Sequence, residues 1–236
     1  WNPGCHCCIP PERSMRHWIR QNRGFLVFMM LLGLFRTAVA DWNPVPSGSM
    51  HPNILEGDVV LVNRLAYDLK LPLTDHIVMR LGEPQRGDIV TFTSPRDGVR
   101  LIKRIVALPG DRIAMQDKQL IINGERASYR ATEAQADHAA LDAPWQAELR
   151  VEQVADEKRL IQWLPGVLAR DNFETLLVPE GQYLMLGDNR DNSADSRYIG
   201  LVARHLLIGK AARVLVSVDI LGLWLPRLER FGQALV

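Results

Sequence analysis

Val99-Arg100-Leu101-Ile102-Lys103-Arg104-Ile105-Val106-Ala107-Leu108, closed by Pro109-Gly110-Asp111, is the stretch from which the fold is best read. It reads as a long strand ended by a turn signal. With a two-residue period, Lys103 shares a face with Leu101 and Ile105, and Arg104 points to the opposite one. The same grammar recurs on both sides. Gly57-Asp58 opens an apolar run over 59–62, and Arg86-Gly87-Asp88 opens another over 89–92. The run 120–122 meets the turn dipeptide Asn123-Gly124, Gly181 precedes the run 183–186, and residues 210–218 alternate loosely. Short β-rich runs joined by Gly/Asp turns predict a mainly β, antiparallel fold and argue against βαβ units. Between about 131 and 171 alanine, glutamate and glutamine dominate, with Trp145 and Trp163 among them. That change predicts a partly helical insertion, occupying about 125–175.

The chain has 236 residues, enough for one large domain or two modest ones, and its 47% hydrophobic and 23% charged residues fit a globular body with a core. A net charge of +1 provides no overall basic field, so nucleic acid is not an expected partner. Cys5, Cys7 and Cys8 are the three cysteines, so the body from Met15 onward has no disulfide, thiolate metal site or cysteine nucleophile. Cys5-His6-Cys7-Cys8 lacks a second ligand pair at zinc spacing, and no metal is expected. Residues 1–14 read as a disordered extension, translated upstream sequence or an expression remnant, with Met15 the natural start.

Arg13, Arg16, Arg20 and Arg23 precede an apolar or glycine run over 24–35; Arg36 and Thr37 interrupt it, and Ala38, Val39 and Ala40 extend it to Asp41. The run is short of the roughly 20 residues of a full span, but Arg36 can snorkel to the far interface. Basic residues before the run and Asp41 after it predict a cytoplasmic segment at 15–23, a span at 24–40 and a body from 41 to 236 on the far side. Ala38-Val39-Ala40 equally fits the A-x-A site of a cleavable signal peptide.

Three segments carry candidate chemistry. Pro46-Ser47-Gly48-Ser49-Met50-His51-Pro52 sets two serines around a glycine between stiffening prolines, the rigid exposure that a nucleophile needs, although such stretches are usually plain loops. Lys103, if buried on its strand face, would lose its charge readily and become a competent base; a strand lysine more commonly reaches water with its head group. Leu186-Gly187-Asp188-Asn189-Arg190-Asp191-Asn192-Ser193-Ala194-Asp195-Ser196-Arg197 is too polar for a regular core element, and Asx turns with Asp–Arg pairs would order it as a rigid loop. Calcium is the rival there, but the arginines supply counter-charge and the EF-hand spacing is missing.

In this order the segments resemble the type I signal peptidases of bacteria. Those enzymes carry P-S-G-S-M-x-P, G-D-x-V-x-V, K-R-x-x-x-x-P-G-D and G-D-N-R-D-N-S-x-D-S-R, met here at 46–52, 57–62, 103–111 and 187–197, with the further family-like stretch Arg86-Gly87-Asp88-Ile89-Val90. The likeness covers about 46–123 and 178–219. It implies a serine endopeptidase with a Ser/Lys dyad and no cofactor, its fold a mainly antiparallel β catalytic core with a smaller β-containing insertion after the lysine and before the final motif. Ser49 would be the nucleophile and Lys103 the general base. Ser47 would join the Ser49 backbone N–H in an oxyanion hole, Ser193 would hydrogen-bond and orient the lysine, and Arg104, Asp188, Asp195 and Arg197 would form a structural charge cluster. The implied partners are precursor proteins, cut after small residues at the first and third positions before the bond, and the lipid bilayer. The implied location is the bacterial inner membrane, with the catalytic body on the periplasmic or outer face.

His51 stands at a variable place, Ala107 stands where glycine is common, and one candidate span is found where the family often has two. For an enzyme acting on membrane-held precursors an uncleaved anchor is favoured: Ser49 follows Ala40 by nine residues, and Arg36 fits a cleavage region poorly. The alternatives are a maturation peptidase of a conjugation or secretion system and a non-enzymatic periplasmic β-rich binding protein. Finally, Leu228, Phe231 and Leu235 fall at helical spacing after Pro226, predicting a terminal helix that pads the β core or touches the membrane.

Overall fold

The computed structural model describes residues 13–71, 74, 76–132, 147–154 and 157–235. The cysteine cluster and most of the proposed extension lie outside them. Two helices lead, α1 (Arg13–Gln21) and α2 (Arg23–Ala38). The strands follow as β1 (Ala40–Pro44), β2 (Asp58–Asn63), β3 (Asp68–Lys70), β4 (Ile77–Arg80), β5 (Ile89–Thr93), β6 (Arg100–Ala107), β7 (Arg112–Gln116) and β8 (Gln119–Ile122). Next come β9 (Glu125–Arg126), β10 (Ser128–Ala131), β11 (Glu148–Val154), β12 (Glu157–Trp163), β13 (Phe173–Leu177) and β14 (Gln182–Leu186). A one-turn α3 (Ser196–Ile199), β15 (Val202–Ala203) and β16 (Leu207–Ser217) complete the order.

The main sheet is antiparallel, with strand order β1-β2-β16-β5-β6-β14-β15. Of its strands, β2, β5, β6, β14 and β16 fall on the runs read from the sequence, whereas β1 and β15 were not expected. Residues β1-β2 pair from Ala40↔Asn63 to Pro44↔Val59, and Pro46, which has no N–H to give a ladder, follows the end of β1. Val45, Met50, Ile54, Val60, Val62, Ile89 and Ala211 form one buried cluster, so the loop between β1 and β2 is pinned from below by its own Met50 and Ile54. Each such fully buried side chain is worth roughly 1.5–3 kcal/mol. A second cluster around Phe92, Ile105 and Met185 packs β5, β6 and β14 together.

β14 is the element that matters most for position. It pairs with β6 at Leu184↔Ala107, Met185↔Ile105 and Leu186↔Arg104, so the polar loop that leaves Leu186 starts beside Lys103 and Arg104.

Three sequence expectations are met in part or not at all. The described part of the insertion is strand rather than helix: β11 and β12 form a hairpin in register from Glu148↔Trp163 to Val154↔Glu157, with β10 alongside, while β13 joins β7, β8 and β9 in a further small sheet. The alternation that buries Leu149, Val154 and Ile161 decides this, and the alanine-rich segment that suggested a helix falls largely at 133–146, outside the described residues. The tail is not a helix beyond a single 3-10 turn at Leu228–Arg230. Pro226 bridges Val218 and Ala234 bridges Arg213, while Arg227 and Arg230 bind Asp219 and Asp58, so the tail is drawn along the sheet edge. Leu228 and Phe231 stay exposed, and of the three residues only Leu235 packs on the core. Lastly, α2 carries exposed Phe25, Phe28, Met30, Leu31 and Phe35, but among the described residues no helix is long and apolar enough to cross a membrane. The predicted span also runs too far, since Ala40 belongs to β1.

Candidate active site

The loop after β1 folds back on itself through His51 N–H to Gly48 O at 3.1 Å and Ile54 N–H to Met50 O at 3.0 Å. A side chain at Gly48 would displace the His51–Glu56 pair, since a Cβ would lie 2.5 Å from Glu56 Oε1 and 3.1 Å from His51 Nε2. His51, which departs from the family pattern, thus has a local use: its Nε2 meets Glu56 Oε2 at 2.5 Å and staples the loop.

This turn presents Ser49, and β6 presents Lys103. Lys103 Nζ lies 2.6 Å from Ser49 Oγ and also donates to Ile102 O at 2.9 Å. Both side chains are nearly closed to water, at 2% exposure for Lys103 and 8% for Ser49. Burial pushes the Lys103 ammonium down to about 8, against the opposing pull of Asp195 and Asp188. That matters in magnitude: at pH 7 the neutral fraction rises from about 0.04% for an ordinary lysine to about 10%. A neutral amine at this distance accepts the serine proton; an ammonium does not.

The pair opens on a cleft of about 360 Å³ walled by Val45, Val60 and Ile102, with Ser47 also on its wall. Ser193 behaves differently from the expectation. It sits against Gly187 and the Ser49 carbonyl, yet its buried Oγ has no hydrogen-bond partner among the described residues and does not reach the lysine. Gly187 is required by this packing, since a Cβ there would lie 2.5 Å from Ser49 O and collide with the Ser193 side chain.

The charge cluster is present, as two separate bidentate pairs. Arg104 Nε and Nη2 reach the two Asp188 oxygens at 2.9 and 2.8 Å, and Arg197 makes the same fork on Asp195 at 2.8 and 2.8 Å. Asp195 also caps α3 through Arg197 N–H at 3.2 Å and accepts Gly187 N–H at 3.1 Å.

Two clamps join the loops and were not legible as site residues. Asn189 donates its backbone N–H to Ser49 O at 3.2 Å and its side chain to Gly48 O at 3.0 Å, fixing the backbone around the serine. Asn53 donates to Asp188 Oδ2 and to Leu160 O, each at 2.7 Å. The insertion takes part as well. Glu152 on β11 is fully buried, receives Arg159 Nε from the opposite strand at 2.5 Å, and binds both Arg190 nitrogens of the polar loop at 2.6 and 2.5 Å. Burial pushes the Glu152 carboxyl up, but the two guanidiniums outweigh it and hold it at about 2. Tyr129 adds a hydroxyl donor at 2.8 Å. The pairing Glu152↔Arg159 could have been noticed only once the hairpin register was known.

The profile of the family described as signal peptidase, peptidase S26, matches residues 15–216. A signal peptidase I of Pseudomonas fluorescens is 33% identical over 211 residues, 84% of this chain and 72% of that protein. One from Rickettsia prowazekii is 33% identical over 220 residues, 86% of this chain and 82% of its own length. A solved signal peptidase I from Enterococcus faecalis is 32% identical and covers 54% of this chain and 96% of its own at a TM-score of 0.33. With a match that runs through the serine loop, the lysine strand and the polar loop alike, the chain belongs to the signal peptidase, peptidase S26, family.

Proposed function

We propose that Ser49 and Lys103 are the working dyad of this signal peptidase. As a family member the chain is a serine endopeptidase that removes signal peptides from precursor proteins. The observation that carries the dyad is the 2.6 Å approach of a buried lysine to the serine hydroxyl. Ser49 Oγ attacks the carbonyl carbon, its proton passing to Lys103 Nζ; the ammonium returns that proton to the leaving amine, and the neutral lysine then activates the water that hydrolyses the ester. The oxyanion of each tetrahedral intermediate is assigned to the Ser49 N–H with the Ser47 hydroxyl. The Asn189 clamp supports this by holding the carbonyls on both sides of that N–H. Ser193 is assigned a packing part against Gly187, and Arg104, Asp188, Asp195 and Arg197 hold the walls. The apolar wall of Val45, Val60 and Ile102 suits small side chains before the cut.

The pH profile tests the base. For an amine whose value is lowered to about 8, kcat/KM on a precursor peptide should rise tenfold per pH unit below about 8 and level off above it. A limb near pH 6.5, the range of a free histidine, would remove Lys103 from the role.

Helix α2 is proposed to stay attached to the body as a membrane anchor, N-terminus in the cytoplasm and body outside. Support comes from Ala38-Val39-Ala40 itself: Ala40 pairs with Asn63, and Arg64 N–H binds Val39 O at 3.0 Å, so the would-be cleavage site is tied into the sheet. Sequencing the N-terminus of the protein from fractionated cells checks this. Asp41 as first residue in the soluble fraction refutes the anchor; a start at or before Met15 in the membrane fraction is the expected result.

A further inference from the structure

His51 and Glu56 stand behind the serine turn and take no part in the proton path from Ser49 to Lys103. Both are well enclosed, with side chains 7% and 16% exposed. Arg227 of the tail donates to the Glu56 carbonyl oxygen at 3.0 Å and fixes that end of the loop. Burial pushes the Glu56 carboxyl up, but the hydrogen bond and charge of His51 outweigh it and hold it below the usual carboxylate range. An ionised carboxylate can only accept, so the contact between His51 Nε2 and Glu56 Oε2 is an imidazole N–H donating to it.

Both side chains press on Gly48, at the place where a Cβ would stand. Glycine turns its backbone more freely than any other residue, and this one is joined directly to the nucleophile. In a trans peptide the carbonyl and the N–H point opposite ways. The Gly48 carbonyl accepts from His51 N–H at 3.1 Å and from Asn189 Nδ2 at 3.0 Å, and that sets the direction of the Ser49 N–H. Rotation of the plane between Gly48 and Ser49 would carry that N–H away from the oxyanion.

We propose that His51 and Glu56 are positioning residues for this peptide: their pair fills the space into which the Gly48–Ser49 plane would turn, and so keeps the Ser49 N–H aimed at the reacting carbonyl. The proposal deepens the dyad reading above and rests on it. Because position 51 is variable in the family pattern, the device belongs to this chain and not to the reaction in general.

Steady-state cleavage of a precursor peptide across pH, with a melting curve for each variant, tests it. His51→Met removes the donor, and Glu56→Ala removes the acceptor. Each should lower kcat about tenfold and leave KM within about twofold, because a misdirected oxyanion donor is felt in the transition state. The double variant should be no worse than either, since both break one contact. His51→Gln, which can still donate, should recover kcat to within about threefold of wild type. The alkaline limb should stay near pH 8 throughout, because the lysine remains dry. Unchanged kcat in the folded variants would overturn the assignment, as would a loss confined to KM or additive losses in the double variant. A limb that moves upward with the loss of kcat would overturn it too, since the damage would then run through a hydrated lysine. Glu56 lies nearer the surface, so Glu56→Ala decides the matter if His51→Met does not fold. If the wild type leaves the peptide uncut, or Ser49→Ala cuts it equally well, the dyad reading itself fails.

Discussion

Ser49→Ala and Lys103→Met should each reduce precursor cleavage by at least about a thousandfold, and the double variant should be no worse than either alone. The reason is that the two groups perform one act. Without the hydroxyl there is no nucleophile, and without the amine the hydroxyl keeps its proton at neutral pH. Methionine fills much the same volume as the lysine stem and leaves no buried charge, so Lys103→Met should melt at or above the wild-type temperature. That separates chemistry from folding. Turnover above about a hundredth of wild type in either folded single variant would disprove the dyad, and strictly additive losses would mean that the two residues act in separate steps.

Glu152→Ala should be the most damaging change away from the dyad, costing about 3–5 kcal/mol of unfolding free energy. Glu152 is the one carboxylate between Arg159 and Arg190, both buried, and its removal leaves two guanidiniums facing each other out of water. The anchor it provides is also topological. Arg190 belongs to the polar loop and Arg159 to the β11-β12 hairpin, so the carboxylate is a buried link between insertion and site, beside the Gln162 backbone bonds to Asp188 and Arg190. Urea unfolding measures the loss; a fall below about 1 kcal/mol would mean that water or another acid takes its place. The sign with pH follows from the lowered carboxyl. Its stabilisation is complete above the unfolded value of about 4.3 and is lost only as pH falls towards about 2, so wild type and Glu152→Ala should converge in stability under strong acid and not at neutrality.

The sheet was readable because Gly/Asp turns and apolar alternation are local, and β2, β5, β6, β8 and β14 fall on the runs that those signals bound. Ser49 and Lys103 stood out as candidates by their Pro/Gly frame and apolar strand face, but their roles came from the family resemblance, since such loops are usually plain and strand lysines usually reach water. What escaped depends on pairing across long separations. Glu152 looks like one acid among many until the hairpin register sets it opposite Arg159 and β14 delivers Arg190 to it. Asn53 and Asn189 are single amides in polar loops, and nothing in their neighbours says that they will hold Asp188 and the carbonyls beside Ser49. Ser193 departs from expectation: its motif position suggests a bond to the lysine, whereas its Oγ packs by Gly187 and has no hydrogen-bond partner among the described residues. The terminal segment shows that helical spacing over three residues is too little information once two arginines have acids to reach on the sheet.

The depressed Lys103 ammonium has a consequence for the cell that makes the chain. Neither the strand nor the serine turn can dehydrate that amine alone; the closure also needs β14 and the loop behind it, made some 80 residues later in synthesis. Until that late segment docks, the amine is in water and fully protonated, and the serine is an ordinary alcohol. On the proposed dyad a nascent copy is thus chemically silent until its tertiary assembly is complete.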